Sequence, residues 1–597
     1  MPPKAKTQVK PEATAELGPR PRLVRLIIKN FRCIGLNPVT IDLDDIVVLV
    51  GPNNTGKSSV LKAYEIIMSE GSKEGELALE DFPGGKVDSN SLPEIELHTI
   101  VYDNSPGPEW IGTTESGEKL VKERWKWPEP GKPVRRGYNH EQNKWADDSD
   151  KEKVPWGAAG IANSRRPQAH RINAFDSPEE QAKEIVKLLT TAITERVKAH
   201  KADSKTNRES DYAKLLKSIA DLQKKIVGES REQIEKVQND LTAAIGRIFP
   251  DHRVIFDAKP EDDTDKAINL FKAEPQLLMG PKGGYPSTID RQGSGARRTL
   301  LWTALRVLAE SGDKKKGNTE RPHVLLLDEP EICLHPNAIR DACSLLYGLP
   351  EMTKNWQVMV TTHSPCFVDF SRDHTTIVRV EISQQGQVSG TTIFRPETAK
   401  FTSDDKQELK MLNVCDPYVA EFFFGGRTIV VEGDTEYTAF KTLASLVPNK
   451  FRDIHIVRAR GKATIVPLAK ILNQFGAPYA ILHDSDRLTY KHRDGTTKAN
   501  PAWTHNASIK ETASLARAGV RVVASVPNFE EAYLNKEYNQ EKPYNALKRI
   551  KSEVGVKNTL EQLLDALVDF TKPLPQGAMQ WDNIDDLKKA VEALPAN

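Results

Sequence analysis

Two groups of residues in this chain have the types and spacing that phosphate chemistry needs. The first opens with Gly51-Pro-Asn-Asn-Thr-Gly56-Lys57-Ser58. Glycines at this spacing let backbone N–H groups converge on phosphate oxygens. Lys57 brings positive charge to β and γ phosphates, the Ser58 hydroxyl suits Mg2+, and Asn53 lies in the same loop. Further on, Leu325-Leu-Leu-Asp328-Glu329 is an apolar run ending in two acids. Burying such acids unpaired costs several kcal/mol. Asp328 is suited to hold Mg2+ through water, and Glu329 to activate an attacking water as a base. Val358-Met-Val-Thr-Thr-His363 ends in a histidine placed to sense a γ phosphate. Ser294 and Gly295, in Arg291-Gln-Gly-Ser294-Gly295-Ala-Arg297-Arg298, open a predicted helix (299–308) and offer an anion site at its start.

The second group is acidic. Thr428-Ile-Val-Val-Glu432-Gly433 is followed by Glu436 one helical turn on, and Tyr479-Ala-Ile-Leu-His-Asp484-Ser-Asp486 ends in two more acids. Val526-Pro-Asn-Phe-Glu530-Glu531 supplies a third acidic strand end. A hard divalent cation wants oxygen ligands, and carboxylates at neighbouring parallel strand ends converge on one point. With two ions, one activates water and the other stabilises the leaving oxygen of a phosphodiester. The predicted metal ligands are Glu432, Glu436, Asp484 and Asp486 with Glu530 or Glu531, the choice between the last two left open; Ser58 is the metal ligand of the first group. Lys542 is placed to neutralise charge in the transition state. Glu432, Asp484, Asp486, Lys542 and Glu329 form the catalytic set.

The elements that must position these residues follow from periodicity. Residues 46–50 form a short, wholly apolar run before the glycine loop, as a buried parallel strand would, and a helix is expected over 58–68. Residues 23–31 and 94–102 alternate apolar and polar residues; the second is expected in an antiparallel sheet. Residues 104–170 hold Trp110, Trp125, Trp127, Trp145 and Trp156 among Lys122, Arg124, Lys126, Arg135 and Arg136. Aromatic and basic side chains so mixed could stack on bases; the favoured reading is a β-rich elaboration whose tryptophans pack locally. Residues 178–248 are poor in glycine and carry apolar residues at helical spacing, which predicts two or three long helices. Residues 253–257 and 520–526 read as further strands.

The domain plan is a disordered tail (1–20), the first part of an ATPase (21–176), a helical dimerisation module (177–249), the rest of the ATPase (250–400), a linker (401–423) and an acidic α/β domain (424–597). A chain of 597 residues should hold several domains. With 84 basic and 83 acidic residues the net charge is +1, so any nucleic-acid surface must be a local patch. No window approaches the ~18 consecutive apolar residues of a membrane span, and the start of the chain lacks the apolar core of a signal peptide. Five cysteines without CxxC spacing argue for a reducing cytoplasm and against structural zinc.

As a set, the first group resembles the ABC ATPase superfamily. That resemblance implies ATP bound between two heads, with Ser294 and Gly295 reaching the ATP of the opposite subunit and Leu334-His335-Pro336 as the dimer-contacting D-loop. The first glutamine after Ser58 is Gln142, so a normally placed Q-loop glutamine is missing. Arg25-Leu-Ile-Ile-Lys-Asn30-Phe31-Arg32, the glycine loop and Asp328-Glu-Pro-Glu331 are similar to the soluble SMC-like and RecF-like branch. The second group resembles the Toprim domain of topoisomerases, primases and some nucleases. An ABC-type ATPase interrupted by a helical module and followed by a Rossmann-like Toprim domain, α/β overall, resembles the OLD (overcoming lysogenization defect) family of nucleases. That resemblance implies Mg2+- or Mn2+-dependent cleavage of DNA, ATP as cofactor, homodimers or higher oligomers through the helical module, and anti-phage defence, sometimes with a defence-system partner. The alternatives are a Toprim enzyme that makes nucleic acid or alters its topology, for which no zinc module or breakage-rejoining tyrosine domain is found, and a repair ATPase with a structural or partner-activated Toprim.

Overall fold

The computed structural model describes residues 21–173, 176–183, 185–186, 218, 278–279, 285, 287–298, 300–301, 304, 322–332, 334, 336–353, 356–383, 386–416, 419–492, 496–534 and 540–595. The expected tail (1–20), most of the helical module (177–249), the strand at 253–257, much of the helix at 299–308 and His335 lie outside the described residues. The chain divides into two units, one of residues 1–174, 321–332 and 339–597, the other of 175–320 and 333–338.

Among the described residues the first unit is built on three large sheets, with a further two-stranded ribbon of Thr489–Lys491 and Thr497–Ala499. A six-stranded sheet runs in the order Val388–Phe394, Thr375–Ile382, Ile46–Val50, Trp356–Thr361, His323–Asp328, Gln168–Ile172. All neighbours are parallel except the first pair. Ile46–Val50 is buried at every residue, as a strand covered on both faces should be. Registers Asp328↔Thr361 and Thr361↔Leu49 bring three strand ends side by side, so the loops after them share one edge of the sheet.

A second, antiparallel sheet runs in the order Val39–Asp42, Arg22–Lys29, Glu94–Val101, Lys119–Lys126, Val134–Asn139, Lys144–Trp145, with Gly112–Thr113 beside Lys119–Lys126. Helix Lys57–Met68 lies between the two sheets: Val60, Leu61, Tyr64 and Ile67 share one core with Leu26, Ile28, Ile95 and Trp125 of one sheet and Val47, Leu49 and Leu326 of the other. Trp110, Trp125, Trp127 and Trp156 are buried, which matches local packing rather than base stacking. Arg135 is also internal; with Arg166 it brackets Glu70 and Glu123 in a buried ion-pair network. Arg124 and Lys122 lie over the rings of Trp145 and Tyr138, at 4.4 and 5.0 Å.

The third sheet has the order Ile454–Arg458, Arg427–Val431, Tyr479–Asp484, Val520–Ser525, Ala578–Gln580, parallel except for its last strand. Helices Asp434–Leu446, Lys542–Ser552 and Val554–Val568 bury Phe440, Ile550 and Leu563 in a core with Ile429, Val431 and Leu482.

Residues 401–423 differ from the expected linker. They form helix Ser403–Cys415, begun by a Thr402/Asp405 capping box, and a 3-10 turn at Val419–Phe424. The helix packs on Lys462–Leu472, with Thr464 bonded to Glu408 (3.0 Å) and Lys470 to Asp405 (2.6 Å). Phe422 and Phe423 stack on each other and pack at a tilt against Phe370 and Phe475, and Arg379 donates to both their carbonyls at 3.1 and 3.0 Å. A mostly polar sequence hides this because the apolar contacts come from partners distant in the chain. No helix among the described residues is long and apolar enough to cross a membrane.

Candidate nucleotide site and candidate metal centre

At the first sheet edge the loop 51–56 joins strand to helix. Gly51 has φ 138° and a Cβ there would run into the Val380 carbonyl, so the sharp exit from the strand requires glycine. Gly56, φ 98°, caps helix Lys57–Met68 in the left-handed region. Lys57 folds back on its loop, donating from Nζ to the carbonyls of Gly51 (3.1 Å) and Pro52 (2.7 Å). Burial pulls its pKa down, and the charges of Glu329 and Asp328 oppose that fall. Ser58 Oγ donates to Asp328 Oδ1 at 2.9 Å, and Thr361 Oγ1 donates to the same oxygen at 2.6 Å. The predicted pair Ser58 and Asp328 therefore meets directly.

Glu329 sits at φ 46°, its N–H bonded to Thr361, and its carboxylate lies 3.4 Å from His363 Nε2. Burial and Lys57 hold the imidazole below its ordinary pKa. Asn53 is exposed in the loop. Glu331 is a functional candidate that spacing did not single out: it accepts from the Thr362 hydroxyl (2.9 Å) and the His363 N–H (2.7 Å), fixing the loop that carries the histidine. Ser294 and Gly295 begin a helical turn in the second unit, where Arg297 bonds Gln181 at 3.1 Å.

At the edge of the third sheet the acids come together. Glu432 Oε2 accepts the Asp484 N–H (3.0 Å), Asp484 Oδ1 accepts the Phe529 N–H (2.9 Å), and Glu436 Oε2 accepts the Gly433 N–H (3.2 Å). Glu530 accepts from Thr435 Oγ1 at 3.1 Å, and Lys542 Nζ lies 3.4 Å from it. Glu531 instead bonds Asn528 and lies 3.8 Å from Arg487, which settles the position of the pair: Glu530 belongs to the cluster and Glu531 faces another partner. Adjacent residues on a helix diverge by about 100°.

Burial raises the carboxyls of Glu432, Glu436 and Asp484, and the neighbouring acids raise them further; Glu436 is pushed up to about 8. Such a set of buried oxygens, mutually repelling, fits a divalent cation chemically. The described trio with the closest ligand atoms is elsewhere: Asp44, Asp45 and His374, within 4.8 Å of one another. There Arg395 and Thr376 already approach Asp44 at 3.4 Å, and Asp45 and His374 are exposed. No three of the strand-end acids come within that distance of one another, but Glu436 and Glu530 are buried and, with Glu432 and Asp484, act electrostatically on one another.

Lys462 is a second residue, with Glu331, that sequence reasoning missed. It opens helix Lys462–Leu472, is buried, and pairs with Asp486. Its signal was a Gly-Lys pair after a strand, readable only once Asp486 is known to lie beside it. His483, within the acidic motif, is structural: its Nδ1 side bonds the Asp484 carbonyl at 2.8 Å, its Nε2 accepts from Trp581 at 3.2 Å, and burial drives its pKa down to about 3.

Comparison with known proteins finds two domain families in this order along the chain. Residues 22–368, more than half of the chain, match the AAA ATPase domain family, and residues 423–486 match the overcoming lysogenization defect protein-like TOPRIM domain. The chain is 25% identical over 490 residues to the Old nuclease of Escherichia phage P2, covering 78% of each. It is 22% identical over 572 residues to the OLD nuclease of Thermus scotoductus, covering 93% of this chain and all of that one. Among solved structures, the SMC head domain from Thermotoga maritima matches 62% of this chain and 98% of its own at 15% identity and a TM-score of 0.26. An AAA ATPase domain followed by an OLD-like TOPRIM domain, with 78% of one OLD nuclease and all of another covered, places this chain in the OLD family.

Proposed function

We propose that the chain is a divalent-metal-dependent DNA endonuclease whose cutting is regulated by ATP. The observation that carries this reading is the convergence of Glu432, Glu436, Asp484, Asp486 and Glu530 at neighbouring strand ends, with Lys542 at their rim. Bound Mg2+ or Mn2+ would supply water activation and stabilise the leaving oxygen. Glu432, Glu436, Asp484, Asp486 and Glu530 would hold the ions. Lys542, half-exposed beside Glu530, would meet the charge that develops on the phosphate. The relatives' names as nucleases support the same reading.

At the other edge, Lys57 would turn from its own loop carbonyls to the ATP phosphates. Ser58 and Asp328 would share Mg2+, Glu329 would orient the attacking water, and His363 would contact the γ phosphate. Ser294 and Gly295 would complete the site of a second copy in a homodimer or larger assembly. Anti-phage defence in the cytoplasm, with or without a partner protein, is the biological setting we infer.

Supercoiled plasmid incubated with the protein and Mg2+ or Mn2+, with and without ATP, tests the reading. Metal-dependent nicking or linearisation absent from an Asp484→Ala protein is expected, with a rate that changes in the ATP lanes. Equal cutting by wild type and Asp484→Ala would overturn the site assignment.

A further inference from the structure

Lys542 and Lys462 are both close to the acids, but differ in access. Lys542 is 44% exposed and open to a substrate; the Lys462 side chain is 3% exposed. The loop before it is tied to the backbone of the first acid: Ala459 N–H donates to the Val431 carbonyl and Gly461 N–H to the Glu432 carbonyl, both at 2.9 Å. Gly461 has φ 129°, and the helix starts immediately after it. Lys462 Nζ is thereby delivered beneath the cluster, bonded to Asp486 Oδ2 and 3.5 Å from the Ser485 carbonyl. That carbonyl is also held by Asn506 Nδ2 at 2.8 Å. Asp486 has few other freedoms, since its N–H is bonded to the Pro527 carbonyl at 2.9 Å and its φ is 62°.

A buried lysine rarely lacks a role, because an unpaired charge away from water is costly. Lys462 is too enclosed to touch DNA. We propose that Lys462 is a positioning residue, a tethered counter-cation that holds Asp486 in the metal-free chain and competes with the metal for that carboxylate, so that it sets the affinity of one metal subsite. The inference rests on the metal-centre reading above. A fixed positive charge beside a ligand weakens binding of a second cation by Coulomb repulsion, and removing it leaves the acids more in need of one.

The test is direct Mn2+ binding to the full chain, followed by the EPR signal of free Mn2+, together with thermal unfolding in EDTA and in Mn2+. Lys462→Met is expected to bind Mn2+ more tightly, by about tenfold at the affected subsite, to melt lower in EDTA, and to regain that loss in Mn2+. Lys462→Arg, which keeps the charge, should bind as wild type does. An unchanged Mn2+ affinity in Lys462→Met, with equal loss of stability in EDTA and in Mn2+, would reduce Lys462 to a packing role and overturn the proposal. If Lys462→Met does not fold, Asp486→Asn and Asp486→Asn/Lys462→Met provide the second arm, since together they remove both charges. The double variant should bind Mn2+ more tightly than Asp486→Asn, because the lysine charge left in the single variant still repels the ion; equal binding by the two would overturn the proposal. Mn2+ binding that survives Asp484→Ala unchanged would remove the metal centre itself. Binding lost in Asp484→Ala but indifferent to Lys462 removes this inference alone.

Discussion

The two sheet edges of the first unit solve opposite electrostatic problems. At the nucleotide edge a lysine sits among the acids, and Lys57 and Asp328 bond neutral groups: Lys57 two loop carbonyls, Asp328 the hydroxyls of Ser58 and Thr361. At the TOPRIM edge the acids crowd one another, and Lys462 and Lys542 are the lysines paired with them. The pKa directions record the contrast, with Lys57 pulled down by burial and Glu436 pushed up. On the proposed reading, one edge would be organised for its ligand in advance, and the other would gather repelling acids that a cation would neutralise. The same topology, acids and loops at the ends of parallel strands, would thus serve an anion in one place and a cation in the other.

The largest effects should come from disabling one edge alone. Asp484→Asn should reduce plasmid cutting by more than the ~10–100-fold typical of outer-shell partners of a metal, while nucleotide binding, read by a fluorescent ATP analogue, stays intact. Lys57→Ala should do the reverse, abolishing nucleotide binding and the response of cutting to ATP. A variant that silences both edges would break the contrast. Neighbouring glutamates sharpen it: Glu530→Gln, like Asp484→Asn, should lower cutting by at least about 10–100-fold, whereas Glu531→Gln, bonded to Asn528, should stay within about twofold of wild type in the same assay. Thr361→Val removes a hydrogen bond to a charged acceptor, worth about 1.5–3 kcal/mol, and should slow ATP hydrolysis by roughly tenfold or more while leaving ATP-free cutting unchanged.

The smallest effect is on stability. A carboxyl whose folded pKa is raised favours the fold below its unfolded value, and that contribution is lost as pH rises through the folded pKa. For Glu436 the window runs from 4.5 to about 8. In EDTA the melting temperature should therefore fall across that range, by a few degrees, and Glu436→Gln should flatten the slope. Saturating Mg2+ should flatten it as well. A slope in EDTA that Glu436→Gln leaves untouched would place the titrating group elsewhere.

What could be read from sequence follows the same physics. Runs such as 46–50, 325–327, 428–431 and 479–482 are legible because strands buried on both faces must be apolar throughout, and the acids at their ends then stand out. Strand Gln168–Ile172 is not legible: most of it is partly exposed and its sequence is polar, and it pairs in parallel with His323–Asp328, where His170, His323 and Trp356 stack. Lys462 and Glu331 were hidden for a different reason. Each acquires its meaning from a partner outside its own element, Asp486 in one case and the Thr362–His363 loop in the other. The choice between Glu530 and Glu531 needed the turn of a helix, which spacing alone does not phase.

The phenylalanine cluster fixes where the protein can be cut in the laboratory. A TOPRIM fragment begun at residue 424 would discard Phe422 and Phe423, strip the cover from Phe475, and leave helix Lys462–Leu472 without the neighbour that bonds Thr464 and Lys470. Such a fragment should aggregate, while one begun before Thr402 keeps that cover. Helix Ser403–Cys415 thus belongs with the TOPRIM sheet's own helices, and a domain boundary set by the acidic motif alone would fall inside a packed structure.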